Sequence, residues 1–324
     1  MAVGGGSKLA LTPPAGHGEP SCVVLRTAGL LWLIVSLLSA RTGAQAPDAA
    51  DLWRVAAGSL ALPAALPTGA TAGFWNPASG DGREGASVGV EVVQTSSILG
   101  LSGLMVGGTL PISRSFRIGI LAGRMQVRDL VRTTTSPDSE DGSIPVYEQL
   151  GGAQAVLGST RLRVGAVLAV HHARFDTESE AGATLDLGVR AQPIDRLTVA
   201  ASTHFLPITL GREPTTDYYG AVEYVALDRL ALADLRTRLA VRYGATLRPS
   251  GDLDHLVGVA VTVNDEVLVD AALTSESAYG HRDLRPSVAV GLRIGRYTIV
   301  FSHGAGINDV GGTFRVGLDV GFSR

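Results

Sequence analysis

Cysteine is nearly absent: the 324 residues hold one, Cys22. Downstream of it no disulfide and no thiolate metal site can form, so stability must come from backbone pairing and packing. Lysine is as scarce, with Lys8 alone, and arginine is the only permanent cation of the rest of the chain. Aromatic residues make up 5% and the formal net charge is −3. That balance gives no basic surface for nucleic acid and no strong attraction to polyanions. Long apolar runs are missing too. The longest, Ala28–Leu38 (AGLLWLIVSLL), is shorter than the roughly 18 residues that a transmembrane helix needs.

That run follows Arg26 and precedes Ala44-Gln45-Ala46. A cation, a short apolar core and an A-x-A site read as a secretory signal peptide over 1–46, cleaved after Ala46. The alternative is an uncleaved anchor, which the shortness of the core disfavours. The region ahead of the apolar core is unusually long for a leader, so a start nearer Val24 is the alternative. Cys22 precedes the apolar core, which excludes a lipoprotein. A signal peptide also predicts export through the inner membrane.

What is present in abundance is alternation. In the last run Phe314, Val316, Leu318, Val320 and Phe322 share one face, opposite Thr313, Arg315, Gly317, Asp319 and Gly321. A period of two is a β-strand between two different surroundings. Such runs place strands near 85–95, 101–111, 116–128, 146–158, 161–174, 183–192, 196–206, 218–228, 236–248, 253–263, 266–275, 285–294, 297–304 and 312–322. Residues 229–235 are a weak spot, where Leu230–Leu235 also fits a helical turn. Tight connections at Pro111–Ser115, Gly158–Thr160, Pro193–Asp195, Asn264-Asp265 and Gly295-Arg296 largely alternate with longer ones at Asp129–Pro145, Asp176–Gly182, Pro207–Asp217, Glu276–Asp283 and Ala305–Gly311. The exception, Pro249–Asp252, is short on the long-loop side. An even number of strands with this loop asymmetry, in an exported chain of mean hydropathy +0.24, predicts an all-β protein. Its form is a closed antiparallel transmembrane barrel of about 14 strands over 84–324, in the cell outer membrane.

The two faces sort chemically. Leu239, Val241, Tyr243, Ala245 and Leu247 oppose Arg236, Arg238, Arg242 and Arg248; Leu185, Leu187 and Val189 oppose Asp186 and Arg190; Val288, Val290, Leu292 and Ile294 oppose Arg293. An arginine at mid-depth on a lipid face costs roughly 2–4 kcal/mol, which leaves the lumen for these charges. With Arg315 and Asp319 they form the expected lumen-facing set, most of it in mutual Arg–carboxylate pairs. The bland alternative is the wet face of a soluble sandwich. Phe116, Phe175, Phe205, Tyr218, Tyr219, Tyr297, Phe314 and Phe322 fall at or near strand ends, as interfacial girdles do. Tyr224, Tyr243 and Phe301 fit that scheme less well.

Between leader and first strand, residues 47–83 are rich in Ala, Gly and Pro and reach the run Trp75-Asn76-Pro77-Ala78. A compact segment of small residues ahead of a barrel predicts an N-terminal hatch or plug; Asn-Pro as a plain turn initiator is the alternative. The run and its position resemble the Asn-Pro-Ala signature of FadL-like outer-membrane barrels, which include the long-chain fatty-acid transporter and the PorV/PorQ-type barrels. Here it continues Ser79-Gly80 where that family usually has Gly-Leu. The resemblance implies that Trp75, Asn76, Pro77 and Ala78 sit in the hatch inside the barrel. It also implies passive transport of a small, hydrophobic molecule, or else a structural barrel that binds a secretion-system protein. Outer-membrane lipid and lipopolysaccharide are the expected surroundings, with no nucleic acid and no cofactor.

Catalytic signals are weak. Gly85-Ala86-Ser87-Val88-Gly89 matches a nucleophile elbow, but it lies in an alternating run with no helix after it. His171 and His172 leave a strand on opposite faces and cannot share a metal. The acidic run Asp138–Asp141 reads as a solvated loop, with a divalent-cation contact to lipopolysaccharide as its alternative. The glycine-rich Ala305–Gly312 joins two strands and has no helix to cradle phosphate. The chain is therefore expected not to be an enzyme.

Overall fold

The structure, a computed structural model, describes residues 50–80, 85–97, 100–131, 142, 144–208, 216–232, 235–278, 281–306 and 311–322. The leader with Cys22 and Lys8, and the acidic run at 138–141, lie outside these residues.

Fourteen strands form the wall. They are β1 (Ala86–Thr95), β2 (Leu101–Pro111), β3 (Phe116–Val127), β4 (Val146–Gly158), β5 (Leu162–Phe175), β6 (Glu178–Ile194) and β7 (Leu197–His204). The second half holds β8 (Asp217–Leu232), β9 (Leu235–Leu247), β10 (Leu253–Val263), β11 (Val267–Ala278), β12 (His281–Ile294), β13 (Tyr297–Gly304) and β14 (Thr313–Phe322). Each pairs antiparallel with its sequence neighbours, and β1 pairs with β14 from Ala86↔Phe322 to Thr95↔Thr313. The sheet is thus a closed barrel with no free edge. Ladder shifts occur between Ala191 and Ile194 and twice between Val225 and Leu230.

Several strands outrun the alternation. β6 begins at Glu178, β12 at His281, and β8 continues to Leu232. Residues 176–182 are therefore a tight turn plus strand, and Leu230, Ala231 and Leu232 pair as strand with Thr237, Arg236 and Leu235 instead of entering a helical turn. The reason is physical: hydropathy alternates only where one face meets a uniformly apolar medium. Hydrogen-bond pairing continues past that zone with polar residues on both faces, as in Glu178–Glu180. Long connections among the loops at the β1–β2 end are accordingly fewer than expected: 128–145, 205–216 and 305–312. At the opposite end the turns are short. Asn264 and Asp265, at φ 53° and 59°, make the left-handed pair that a two-residue hairpin needs.

Alternate residues of every strand point outward, and those of β1 and β14 are mostly Val, Leu and Phe exposed by 36–47%. Among the described residues no helix is long and apolar enough to cross a membrane, which says nothing of strands. Of the supposed girdle aromatics, Phe175, Tyr297, Phe314 and Phe322 are exposed, as are Tyr224, Tyr243 and Phe301. Phe205 and Tyr219 are not girdle residues: both are buried in interior clusters. Position near a strand end does not tell which face a side chain takes.

Candidate functional site in the barrel lumen

Residues 50–80 begin with helix α1 (Ala50–Gly58) and include 3-10 turns at Thr71–Phe74 and Pro77–Ser79. This segment meets inward positions all round the wall. Glu91 of β1 accepts from Thr71 Oγ1, Gln154 of β4 donates to Pro77 O at 2.7 Å, and Ser202 of β7 donates to Trp75 O at 2.7 Å. Arg54 donates to Asp217 of β8, Ser302 of β13 donates to Ser59 O at 3.0 Å, and Asp319 of β14 accepts from Ala70 N at 3.0 Å. A segment bonded to both halves of a closed ring lies within it.

Its close seating depends on glycine in the wall. A Cβ at Gly123 of β3 would fall 2.6 Å from the Trp53 ring, and one at Gly188 of β6 would overlap Asn76 Oδ1. Contacts that short are excluded, so the segment rests on bare backbone at these inward positions. The Trp75–Ala78 run sits here. Asn76 Oδ1 accepts from Ala78 N at 2.9 Å and caps the short turn, Pro77 occupies its first position, and Asn76 Nδ2 donates to Ala65 O at 2.8 Å. Asn can cap and donate at once, Pro gives up no needed N–H, and Ala78 is fully buried.

The lumen is chemically lopsided. Towards β1–β5, Val93, Leu101, Met105, Leu121, Met125, Leu150 and Val167 pack with Trp53, Phe74 and Trp75. Towards β8–β12 the inward positions carry charge. Arg242 bridges Glu223 at 2.7 Å and Asp270 at 2.5 Å, with Arg238 3.7 Å from Glu223. Nearer the loop end Arg248 pairs with Asp254 at 2.7 Å and with Glu276, which also holds Arg285. A small cavity of about 80 Å³ lies between α1 and this side, reached by Arg54, Asp217, Arg248, Asp254 and Glu276.

The remaining expected residues fall in three places. Arg190 donates to Leu66 O at 2.9 Å; Arg315 binds Glu91 and donates to Ala56 O at 3.0 Å. Asp186 is buried, accepting from Phe205 N at 2.6 Å and lying 3.2 Å from His204 Nδ1. Arg236 and Arg293 share the inward strand faces but stand exposed at the short-turn rim. The carboxylates Glu91, Glu223 and Asp270 escaped notice in the sequence, although the same parity marks them.

His171 contacts Glu148 through Nδ1 at 3.1 Å and Thr184 Oγ1 through Nε2 at 2.7 Å. That Thr/His pair has the order of a nucleophile, base and orienting carboxylate. It is a packed interior group: Thr184 is buried and bridged to Pro207, and His171 meets the Phe205 ring edge-on at 4.6 Å. Ser87 pairs with Thr109 Oγ1 at 2.8 Å within β1–β2. Among the described residues no group of three or more His, Cys, Asp or Glu is arranged to hold a metal ion.

No family model and no curated protein matches the chain. Solved structures do. Acinetobacter baumannii outer membrane protein Omp33 is 11% identical, with 74% of this chain and 98% of that one covered, at TM-score 0.45. A variant of Rh. blastica porin is 8% identical, with 73% and 98% covered, at TM-score 0.40. KdgM porin is 10% identical, with 73% and 99% covered, at TM-score 0.35. Likeness at this level adds nothing to the barrel architecture that the strand pairing itself shows.

Proposed function

We propose that this chain is an outer-membrane channel whose N-terminal segment acts as a hatch, leaving a narrow charged passage beside β8–β12 for small polar solutes. The observation that carries it is the lopsided lumen. The segment fills the apolar side, and the Arg–carboxylate ladder from Arg238 to Arg285 lines the other. Opposed charges on a pore wall steer and select small ions and polar molecules. The outward Val, Leu and Phe support a membrane location, since a closed barrel leaves no backbone group unpaired in lipid. The leader over 1–46 supports export, with cleavage after Ala46, and lipid and lipopolysaccharide as surroundings. On this reading the short turns face the periplasm.

A hydrophobic cargo, which the FadL-like resemblance implies, has less support: the apolar half of the lumen is occupied by Trp53, Phe74 and Trp75. The resemblance itself rests on the Trp75–Ala78 run and its place before β1. A second reading, a structural PorV-like barrel that binds a secretion protein, draws on one observation: hydrogen bonds stitch the segment to strands all round the wall. Planar-bilayer conductance separates the two. A channel gives a small steady conductance, Asp270→Asn shifts its ion selectivity towards anions, and Gly188→Val enlarges it by unseating the segment. Folded protein with no conductance in any of the three forms, together with a co-purifying protein, sinks the channel in favour of the scaffold.

A further inference from the structure

The outer surface carries a groove of about 580 Å³ over β2–β5. Its floor is explained by register. Val106, Ala122, Gly151 and Val170 lie in one row across the four strands, large, small, small, large. Along β4 the outward positions continue small, Gly151, Ala153 and Ala155, over about 14 Å. Val170 of the groove's lining is 67% exposed, and in the next outward row Ile120 at 71% and Leu168 at 56% flank Ala153, continuing the apolar walls along the small strip of β4. A side chain at Gly151 would meet nothing within 4 Å. This glycine is therefore not demanded by packing within the protein; it leaves space on the lipid side.

The row next to it on the loop side is polar: Leu104, Arg124, Gln149 and His172 are paired across the same strands. The Arg124 guanidinium lies 4.0 Å above the Tyr147 ring, and that ring lies 5.7 Å from His172. The row beyond reads Ser102, Gln126, Tyr147 and Arg174. No carboxylate occupies an outward position in either row, so Arg124 and Arg174 present positive charge at the head of an apolar trough. Near the interface an outward arginine costs only about 0–1 kcal/mol, against several at mid-depth.

We propose that this groove holds one phosphate-bearing lipid of the outer leaflet, an acyl chain along Gly151–Ala155 and a phosphate on Arg124, with His172 and Tyr147 beside it. The proposal rests on the membrane reading of the outer face. Native mass spectrometry of the full purified chain in detergent, titrated with bis-phosphorylated lipid A, tests it. The wild type retains one lipid. Arg124→Gln weakens retention about tenfold, and so does Gly151→Leu, which fills the trough and leaves Arg124 in place. Heat-modifiable gel mobility of each variant separates a lost lipid site from a lost barrel. Equal retention by both folded variants, equal binding of dephosphorylated lipid A, or displacement by inorganic phosphate at lipid concentrations overturns the proposal.

Discussion

Arg315 shows how far a single residue reaches in this lumen. It binds Glu91, and it donates to Ala56 O at 3.0 Å and Ser59 Oγ at 3.2 Å while 4% exposed. Replacing it by Leu strands a part-buried carboxylate and several acceptors, and the loss of one partner of a buried pair costs about 3–5 kcal/mol. Urea unfolding of Arg315→Leu in detergent should show that loss, whereas Arg114→Leu in the exposed β2–β3 turn should stay within about 0.5 kcal/mol of wild type. Glu91→Leu with Arg315→Leu should recover part of it, because no charge is then left alone. Alternation in the sequence groups Arg315, Arg242 and Asp319 with the inward face by parity, since period two is a direct readout of side-chain direction. It does not say which carboxylate each arginine meets, because Arg242 and Asp270 are 28 residues apart and join only through strand register. Phe205 is illegible for a related reason: a left-handed backbone, φ 63°, turns its ring inward against the strand rhythm, whereas Tyr219 shares the inward parity of Ala221 and Glu223.

At the scale of elements, every strand is visible in the sequence and most ends are not. Hydropathy marks the stretch in contact with an apolar surround, and pairing carries β6, β8, β11 and β12 beyond it. Helix α1 left no readable signal, because ADLWRVAAG buries Trp53 and Ala56 against a wall that the local sequence does not contain. The turns are more legible, and Asn264-Asp265 is the clearest. Both residues hold positive φ, and Asn264 Oδ1 accepts from Arg236 N at 2.9 Å. Asn264→Val places a β-branched side chain in the left-handed region and removes that acceptor. A cost of about 1–3 kcal/mol follows. Asn264→Gly keeps the backbone and should lose less. Thermal midpoints of the two variants measure the difference.

For the molecule as a whole, the closed ladder of fourteen strands makes one strong expectation. Unheated protein extracted from membranes should migrate faster on a gel than boiled protein, because sodium dodecyl sulfate alone does not open a barrel without edges. Carbonate washing should leave it in the membrane fraction. No shift with heat, or release by carbonate, would argue against residence of this barrel in a membrane. The lopsided interior belongs to this scale as well. An apolar cluster beside β1–β5 and a set of Arg–carboxylate pairs beside β8–β12 emerge only when strands far apart in sequence close into a ring.

The bridge made by Arg315 also constrains assembly. β1 and β14, the two ends of the strand sequence, close the ring, and their junction carries the Glu91–Arg315 pair. The same guanidinium takes Ala56 O and Ser59 Oγ from the segment made before either strand. A ring that zipped shut around an empty centre would close on a charge lacking two of its acceptors. Closure of the ring and seating of residues 50–80 are thus coupled through one side chain, so the β1–β14 junction is fully satisfied only with the interior occupied.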